Sequence, residues 1–217
     1  MEDIGSLKRF AGRVAHDFNN VLTGVLGFTQ LILMDINEED KHYSDLKDME
    51  SAAKRGKALT GLLLSFSEEF SLAREESDIN EIINSSIETA KTLIRPEVTI
   101  KTELSDVPTL NVDKEKIDRA LTGMIVNSSK AIEGDGDIYL ATKLEGNNVV
   151  ISVADNGKGA GPEDLPFMFE PLYRTSEMRT TGIELTIAYD IIKAHGGDII
   201  VLKREEGGVA FDIKIPV

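Results

Sequence analysis

The stretch Val14-Ala15-His16-Asp17-Phe18-Asn19-Asn20-Val21 decides how the first third of the chain folds. It lies inside a run of apolar positions, Leu7, Ala11, Val14, Phe18, Val21, Val25, Phe28 and Ile32, separated alternately by four and three residues. That spacing predicts a helix whose seam faces other helices in a bundle. His16 falls between Val14 and Phe18, off the seam, so its imidazole is expected in water or against a partner. Asn20, four residues on, shares its face. A surface histidine on a bundle helix ordinarily does nothing, but this one has a carboxylate next to it and an amide one turn away. Near its ordinary pKa of about 6.5, a histidine is largely neutral at physiological pH and can act as a nucleophile. An adjacent aspartate can hold the proton on one ring nitrogen and leave the other free to attack.

Outward from this helix, Asp35 to Asp45 is polar, with Asn37, Glu38, Glu39 and Asp40 at its centre, and reads as a loop. A second seam follows at Met49, Ala52, Gly56, Leu59, Leu63, Phe66 and Phe70. Two long helices joined by a short loop make an antiparallel αα-hairpin. Each helix also carries a second apolar set (Leu22, Leu26, Leu33; Leu62, Leu64). One hairpin cannot bury both sets, which predicts a homodimeric four-helix bundle rather than a hairpin packed on the following domain. Ser71 to Asp78 is charged and breaks the seam. The expected boundary lies there, with one domain over residues 1–74 and a second over 78–217.

The second domain has an α/β texture. Asp78 can cap a helix carrying Ile79, Ile82, Ile83, Ile87, Ala90 and Leu93, ended by Pro96. Val98, Ile100, Thr102 and Leu104 alternate as a strand. Asp113 caps the next helix, through Ile117, Leu121, Met124, Ile125 and Ala131. A hairpin spans Ile138 to Ala154, a helix runs from about Gly182 to Ala194, and a closing hairpin turns at Gly207-Gly208. The expected architecture is a sheet with helices on one face. Asp155-Asn156-Gly157-Lys158-Gly159 follows directly on a strand. A carboxylate at a strand end can accept a hydrogen bond from an exocyclic amine, and glycines let backbone approach a flat ring closely. The same run also makes a good turn. Asn127 sits in a helix interior, where asparagine is locally unfavourable, so a ligand or metal role is plausible. Lys130 could reach a phosphate from the same face. Phe167-Met168-Phe169-Glu170-Pro171 by itself reads as core packing.

His16, Asp17 and Asn20 fill the His-Asp/Glu-x-x-Asn/Thr phosphoacceptor box of sensor histidine kinases, and the later motifs resemble the ATP-binding domain of the same family. That fold, of the GHKL type, is shared with gyrase, heat-shock chaperone and mismatch-repair ATPases. Asn127 matches the box that binds Mg2+ in the family. Asp155, Gly157 and Gly159 match the first glycine box, whose aspartate reads the adenine amine. Phe169-Glu170-Pro171 matches the F box, Tyr173 to Thr181 corresponds to the ATP lid, and Gly182 lies in the second glycine box. Gyrase-type ATPases lack the phosphoacceptor hairpin, which favours the kinase branch. The resemblance therefore implies an α and α/β fold, a hairpin forming a dimeric four-helix bundle followed by an α/β sandwich. It implies ATP and Mg2+ as cofactors, with Asn127 on the metal and Asn127, Lys130, Asp155, Gly157, Gly159, Phe169 and Gly182 around the nucleotide. It implies catalysis at His16 with Asp17 and Asn20, and phosphoryl transfer to an aspartate on the receiver domain of a response regulator. Family members often reverse that last step, Asn20 then positioning the hydrolytic water.

Two departures stand out. The family's glycine-rich run is replaced by Arg179-Thr180-Thr181-Gly182-Ile183-Glu184, with Glu184 where a glycine is usual, and Gly123 stands where a second asparagine is common. Glycines at a helix start let backbone amides cradle phosphate; a carboxylate does the opposite. At ~6 Å and an effective dielectric of ~20–80, one like-charge pair costs about 0.7–3 kcal/mol. Mg2+, Arg174 and Arg179 could offset part of this. A phosphotransfer or docking module with an impaired nucleotide pocket is thus the alternative expectation to an active kinase.

Composition sets the outer limits. The chain has 217 residues and no cysteine, so disulfides and thiolate metal sites are excluded and a reducing, cytoplasmic compartment is expected. No apolar run approaches the ~20 residues of a membrane span and no signal peptide opens the chain, so no membrane contact is expected within it. Lysine and arginine number 24 against 38 aspartates and glutamates, a formal charge of −14 that argues against nucleic acid. The other histidines read as structural: His42 as solvated in the loop, His195 as a helix-end residue suited to the helix dipole and the last carbonyls. Scattered histidines without cysteines offer no zinc site.

Overall fold

The computed structural model describes residues 2–67, 72–170 and 184–217, with side chains from Gly12 onward except at 58 and 62–67. The chain divides into two compact units, Met1–Ser71 and Leu72–Val217.

The first unit is a pair of helices, α1 (Glu2–Asp35) and α2 (Tyr43–Ser67). Between them, the Asp40 carboxylate accepts from the His42 amide at 2.8 Å in the polar turn. The face of α1 that meets α2 is the set Ala15, Leu22, Leu26, Thr29 and Leu33, with Ala15 and Thr29 buried. On α2, Leu46, Glu50, Ala53 and Thr60 are buried. Leu22 comes so close to Gly56 that a Cβ there would lie 2.9 Å from its methyls, so this glycine lets the helices approach. The expected α1 seam is a different face. Phe18 (59% exposed), Val21, Val25, Phe28 (71%) and Ile32 all stand open to solvent in the single chain. Which of the two stripes meets α2 was open in the sequence: two apolar stripes of the same period differ only by rotation about the helix axis, which spacing cannot fix. Leu7, Ala11, Leu62, Leu63, Leu64, Phe66 and Phe70 fall outside the described side chains.

In the second unit, capping begins the helices where the sequence places caps. The Asp78 carboxylate accepts from the Asn80 amide to open α3 (Ile79–Lys91), and Asp113 accepts from the Lys116 amide to open α4 (Lys114–Ala131). Leu93 lies beyond the end of α3 and is exposed. The strands are β1 (Glu75–Ser77), β2 (Val98–Leu104), β3 (Leu110–Val112), β4 (Gly136–Glu145), β5 (Asn148–Asp155), β6 (Asp198–Lys203) and β7 (Val209–Pro216), and α5 spans Glu184–Ala194. Five of them form a sheet in the order β2-β4-β5-β7-β6, parallel only between β2 and β4. Leu140, Val153 and Phe211 stand in register and are buried beneath the helices. On the other face, Ser152 donates to Asp212 at 2.8 Å. One apolar face and one polar face are what alternation in an antiparallel sheet requires. The pairing of β1 with β3 was not expected: Glu75 to Ser77 lies in the segment read as a charged linker, yet it joins the second unit.

Candidate functional site

His16 lies on the solvent side of α1, its side chain 69% exposed. The Asp17 carboxylate is 3.4 Å from Nδ1, and the Asn20 amide nitrogen is also 3.4 Å from Nδ1. These contacts compete, because Asp17 needs a proton on Nδ1 and Asn20 needs a lone pair there. Neither engages Nε2. With the proton held toward Asp17, Nε2 carries the ring's lone pair. The helix thus brings His16, Asp17 and Asn20 together as their spacing demands.

The second cluster is built where β5 ends. Asp155 is fully buried. One carboxylate oxygen accepts from the Gly157 amide at 2.9 Å, and the other, Oδ2, has no hydrogen-bond partner among the described residues. Burial pushes this carboxyl above its ordinary value of 3.8, with the Gly157 amide opposing the shift. The Ser128 hydroxyl of α4 also opposes it, although it makes no hydrogen bond of good geometry and is itself buried and unpaired. A buried carboxylate oxygen without a donor is costly, so its persistence at a strand end points to a ligand that supplies one. Gly157 must be glycine for contact reasons: a Cβ would lie 2.5 Å from the Ala131 carbonyl at the end of α4. Lys158 donates its amide to the same carbonyl at 3.0 Å, and Gly159 has φ +75°.

Sequence reasoning missed the support behind Asp155. Arg204, after β6, donates from Nη1 to the Asp155 carbonyl at 2.9 Å, and its guanidinium lies 4.9 Å from the centre of the Tyr139 ring. Gly208, at φ +80°, packs so tightly that any Cβ would overlap the Asp155 carbonyl. The Gly207-Gly208 pair reads in sequence as an ordinary hairpin turn. Both glycines carry positive φ, as a two-residue hairpin turn can itself require, so nothing in the sequence set this pair apart.

Asn127 is 2% exposed on α4, and its amide nitrogen has no partner among the described residues. Lys130 pairs with Glu184, Nζ to Oε1 at 3.0 Å, so it faces a carboxylate in place of the phosphate expected for it. Phe169 spends its ring on packing, stacked on Tyr189 at 4.9 Å and edge-on to Phe211 at 6.3 Å, while Thr186 donates to its carbonyl at 2.9 Å. Gly182, Arg174, Arg179 and the Tyr173–Thr181 segment lie outside the described residues. His195 is buried, donating from Nδ1 to the Ile191 carbonyl at 2.7 Å and accepting the Asp113 amide on Nε2 at 2.9 Å. It therefore satisfies a helix carbonyl as expected, but burial holds its pKa below 6.5 and the ring is neutral. The expected cation–dipole role is corrected to that of a neutral bridge from α5 to the cap of α4. Among the described residues, no helix is long and apolar enough to cross a membrane, and no group of three or more histidines, cysteines and carboxylates is placed to hold a metal.

Comparison with known proteins agrees with these features. Residues 112–217 match the family described as histidine kinase-, DNA gyrase B-, and HSP90-like ATPase. Sensor kinase CckA of Brucella abortus is 28% identical over all of this chain and 24% of its own length. Sensor histidine kinase ZraS of Escherichia coli is 27% identical, again over all of this chain and 47% of its own length. The chain thus spans half or less of these relatives. Among solved structures, full-length ShkA in complex with AMPPNP matches 95% of the chain at a TM-score of 0.73 and 22% identity. Histidine kinase ThkA in complex with the response regulator TrrA matches 99% at 0.69 and 24%. At these identities the structures speak to fold. Residues 112–217 therefore match the histidine kinase-, DNA gyrase B-, and HSP90-like ATPase family, within a chain that shares the fold of these histidine kinase structures.

Proposed function

We propose that this chain is the catalytic core of a two-component sensor kinase, which transfers the γ-phosphoryl group of ATP to His16 and from there to an aspartate of a response-regulator receiver domain. The observation that carries the reading is the buried Asp155 carboxylate, with Oδ2 lacking a donor that an adenine amine would supply. Asp155 reads the base while Gly157 and Gly159 let the backbone lie against it. His16 Nε2 attacks the γ-phosphorus, the bond to the β,γ-bridging oxygen breaks, and ADP leaves; Asp17 holds the Nδ1 proton throughout. Asn127, through its side-chain oxygen, is the residue that would hold Mg2+, while its Nδ2, buried and without a partner among the described residues, is a donor suited to a phosphate oxygen. That ion takes few protein ligands and shares the rest with phosphate and water; when bound, it screens the phosphate charge. Asn20, beside the ring, is suited to placing a water for hydrolysis of the regulator's aspartyl phosphate. The apolar stripe from Phe18 to Ile32, exposed in the single chain, supports a homodimeric four-helix bundle as its cover. We assign phosphoacceptor and dimerisation functions to the unit Met1–Ser71 and nucleotide binding to Leu72–Val217, a division a few residues ahead of the expected 1–74 and 78–217.

A second reading, a phosphotransfer or docking module, is favoured by one observation: Lys130 is tied to Glu184. Incubation with ATP labelled on the γ-phosphate, with Mg2+, separates the two. An active kinase yields acid-labile label that His16→Ala abolishes. Labelling that appears only in Glu184→Gly supports the second reading, and label unaffected by His16→Ala refutes the assignment of the acceptor.

A further inference from the structure

The two departures from the family pattern, Gly123 and Glu184, are 61 residues apart in the sequence and meet in space. A Cβ placed on Gly123 would lie 3.7 Å from the Glu184 Cβ and 3.8 Å from its carbonyl oxygen. The first residue of α5 therefore sits directly over the bare backbone at 123. From there the Glu184 side chain reaches Lys130, Oε1 to Nζ at 3.0 Å. Gly123, Asn127 and Lys130 follow one another at i, i+4 and i+7, so they share one face of α4. Asn127 lies between positions 123 and 130 on that face, and its amide nitrogen is buried without a partner among the described residues.

The pair changes what this end of the pocket offers a ligand. A lysine alone would present one positive charge to a phosphate chain. With Glu184 bound to it, the two side chains sum to zero, and both are half-buried or nearly so, at 43% and 29% exposure. Any phosphate approaching Asn127 must share Lys130 with a carboxylate that is already in place. The base end is untouched by this, since Asp155 reads a neutral amine.

We propose that Glu184 is a specificity-determining residue that compresses the ranking of nucleotides by phosphate number, with Gly123 as the small residue that accommodates it. The inference rests on the nucleotide reading of Asp155 given above and extends it to the ligand's charge. The pocket then draws most of its affinity from the adenosine portion and little from the phosphates, so that ADP competes with ATP on nearly equal terms. Phosphoryl transfer by this chain would accordingly respond to the ratio of ATP to ADP more than to ATP alone.

The test is a binding series on the full chain with adenosine, ADP and ATP, each with and without Mg2+, in the parent, Glu184→Gln and Lys130→Ala. Glu184→Gln keeps the side chain's length and one acceptor oxygen while removing its charge. It is expected to strengthen ATP binding about three- to a hundredfold, ADP by less, and adenosine by under about twofold. Lys130→Ala removes the ammonium that offsets the carboxylate and is expected to weaken ATP in the opposite direction, again sparing adenosine. In the parent, the three ligands are expected to fall within about tenfold of one another, and the gain in Glu184→Gln is expected to shrink as salt is raised. Normal adenosine binding with an ATP-to-adenosine ratio unmoved by Glu184→Gln overturns this inference alone. Failure of adenosine to bind any of the three proteins overturns the nucleotide reading and this inference with it.

Discussion

Replacing Asp155 with asparagine is expected to raise the stability of the second unit while weakening nucleotide binding. In the parent, Oδ1 is satisfied by the Gly157 amide and Oδ2 is buried without a donor. Asparagine keeps one carbonyl oxygen for Gly157 and puts an NH2 group where the unpaired, ionisable oxygen stood. Removing a buried unsatisfied charged atom is worth about 1–3 kcal/mol, or roughly 3–10 °C in melting temperature for a unit of this size. The pH dependence has a definite sign. Because burial raises the Asp155 pKa above 3.8, its contribution to stability is fully present below 3.8 and is lost as pH rises through the folded-state value. The advantage of the variant should therefore be smallest in acid and grow toward neutrality. For binding, asparagine cannot serve both partners. With its carbonyl toward Gly157, its NH2 opposes the adenine amine; reversed, it breaks the Gly157 hydrogen bond. Either loss costs about 1–3 kcal/mol, roughly five- to a hundred-and-fiftyfold in affinity. Calorimetric melting from pH 4 to 8 and titration with adenosine check both halves. A variant that melts lower than the parent at pH 8, or that binds adenosine equally well, refutes the assignment of Oδ2 as the base-reading atom.

Three further outcomes follow from other parts of the molecule. His195 is held neutral by burial, its pKa depressed, so the stability it lends is complete above pH 6.5 and is lost as pH falls through its folded-state value; His195→Gln, compared with the parent by thermal unfolding between pH 7.5 and 5, should flatten that decline, and an unchanged difference across the range would rule out the bridge. Gly208→Ala must push the Asp155 carbonyl aside, so adenosine affinity should fall about tenfold or more, read by titration, while circular dichroism stays near the parent's; unaltered affinity would show that the turn does not support the site. Phe28, 71% exposed in the single chain, is expected to be buried in the homodimer, and Phe28→Asp should raise the dimer dissociation constant about a hundredfold or more; light scattering that reports the same mass for both proteins would refute that cover for the stripe.

What the sequence made legible was local. Asp78 and Asp113 announce their helices because a cap acts within three residues, and Asp155 is found because a carboxylate followed by glycines has a chemistry of its own at a strand end. What escaped was set by distance along the chain or by rotation. The choice between the Phe18 and Leu22 stripes depends on how α1 turns toward α2, which equal periods leave open. The strands Glu75–Ser77 and Leu110–Val112 are too short to show alternation. Arg204 reaches an acceptor 49 residues away, and Lys130 an acid 54 residues away, contacts that no window of sequence contains. The departures at 123 and 184 could each be noticed, but their adjacency exists only once α5 lies on α4.

The order of the sheet has a consequence for how the protein is made. Strand β7, the last of its strands in chain order, is inserted between β5 and β6 and pairs along the strand that ends in Asp155, while the turn just before it presses on that residue's carbonyl. During synthesis the Asp155 carboxylate thus leaves the ribosome well before the backbone that fixes it. A nascent chain halted ahead of Val209 would carry the motif without the ability to grip a nucleotide, and so would pass through translation chemically silent.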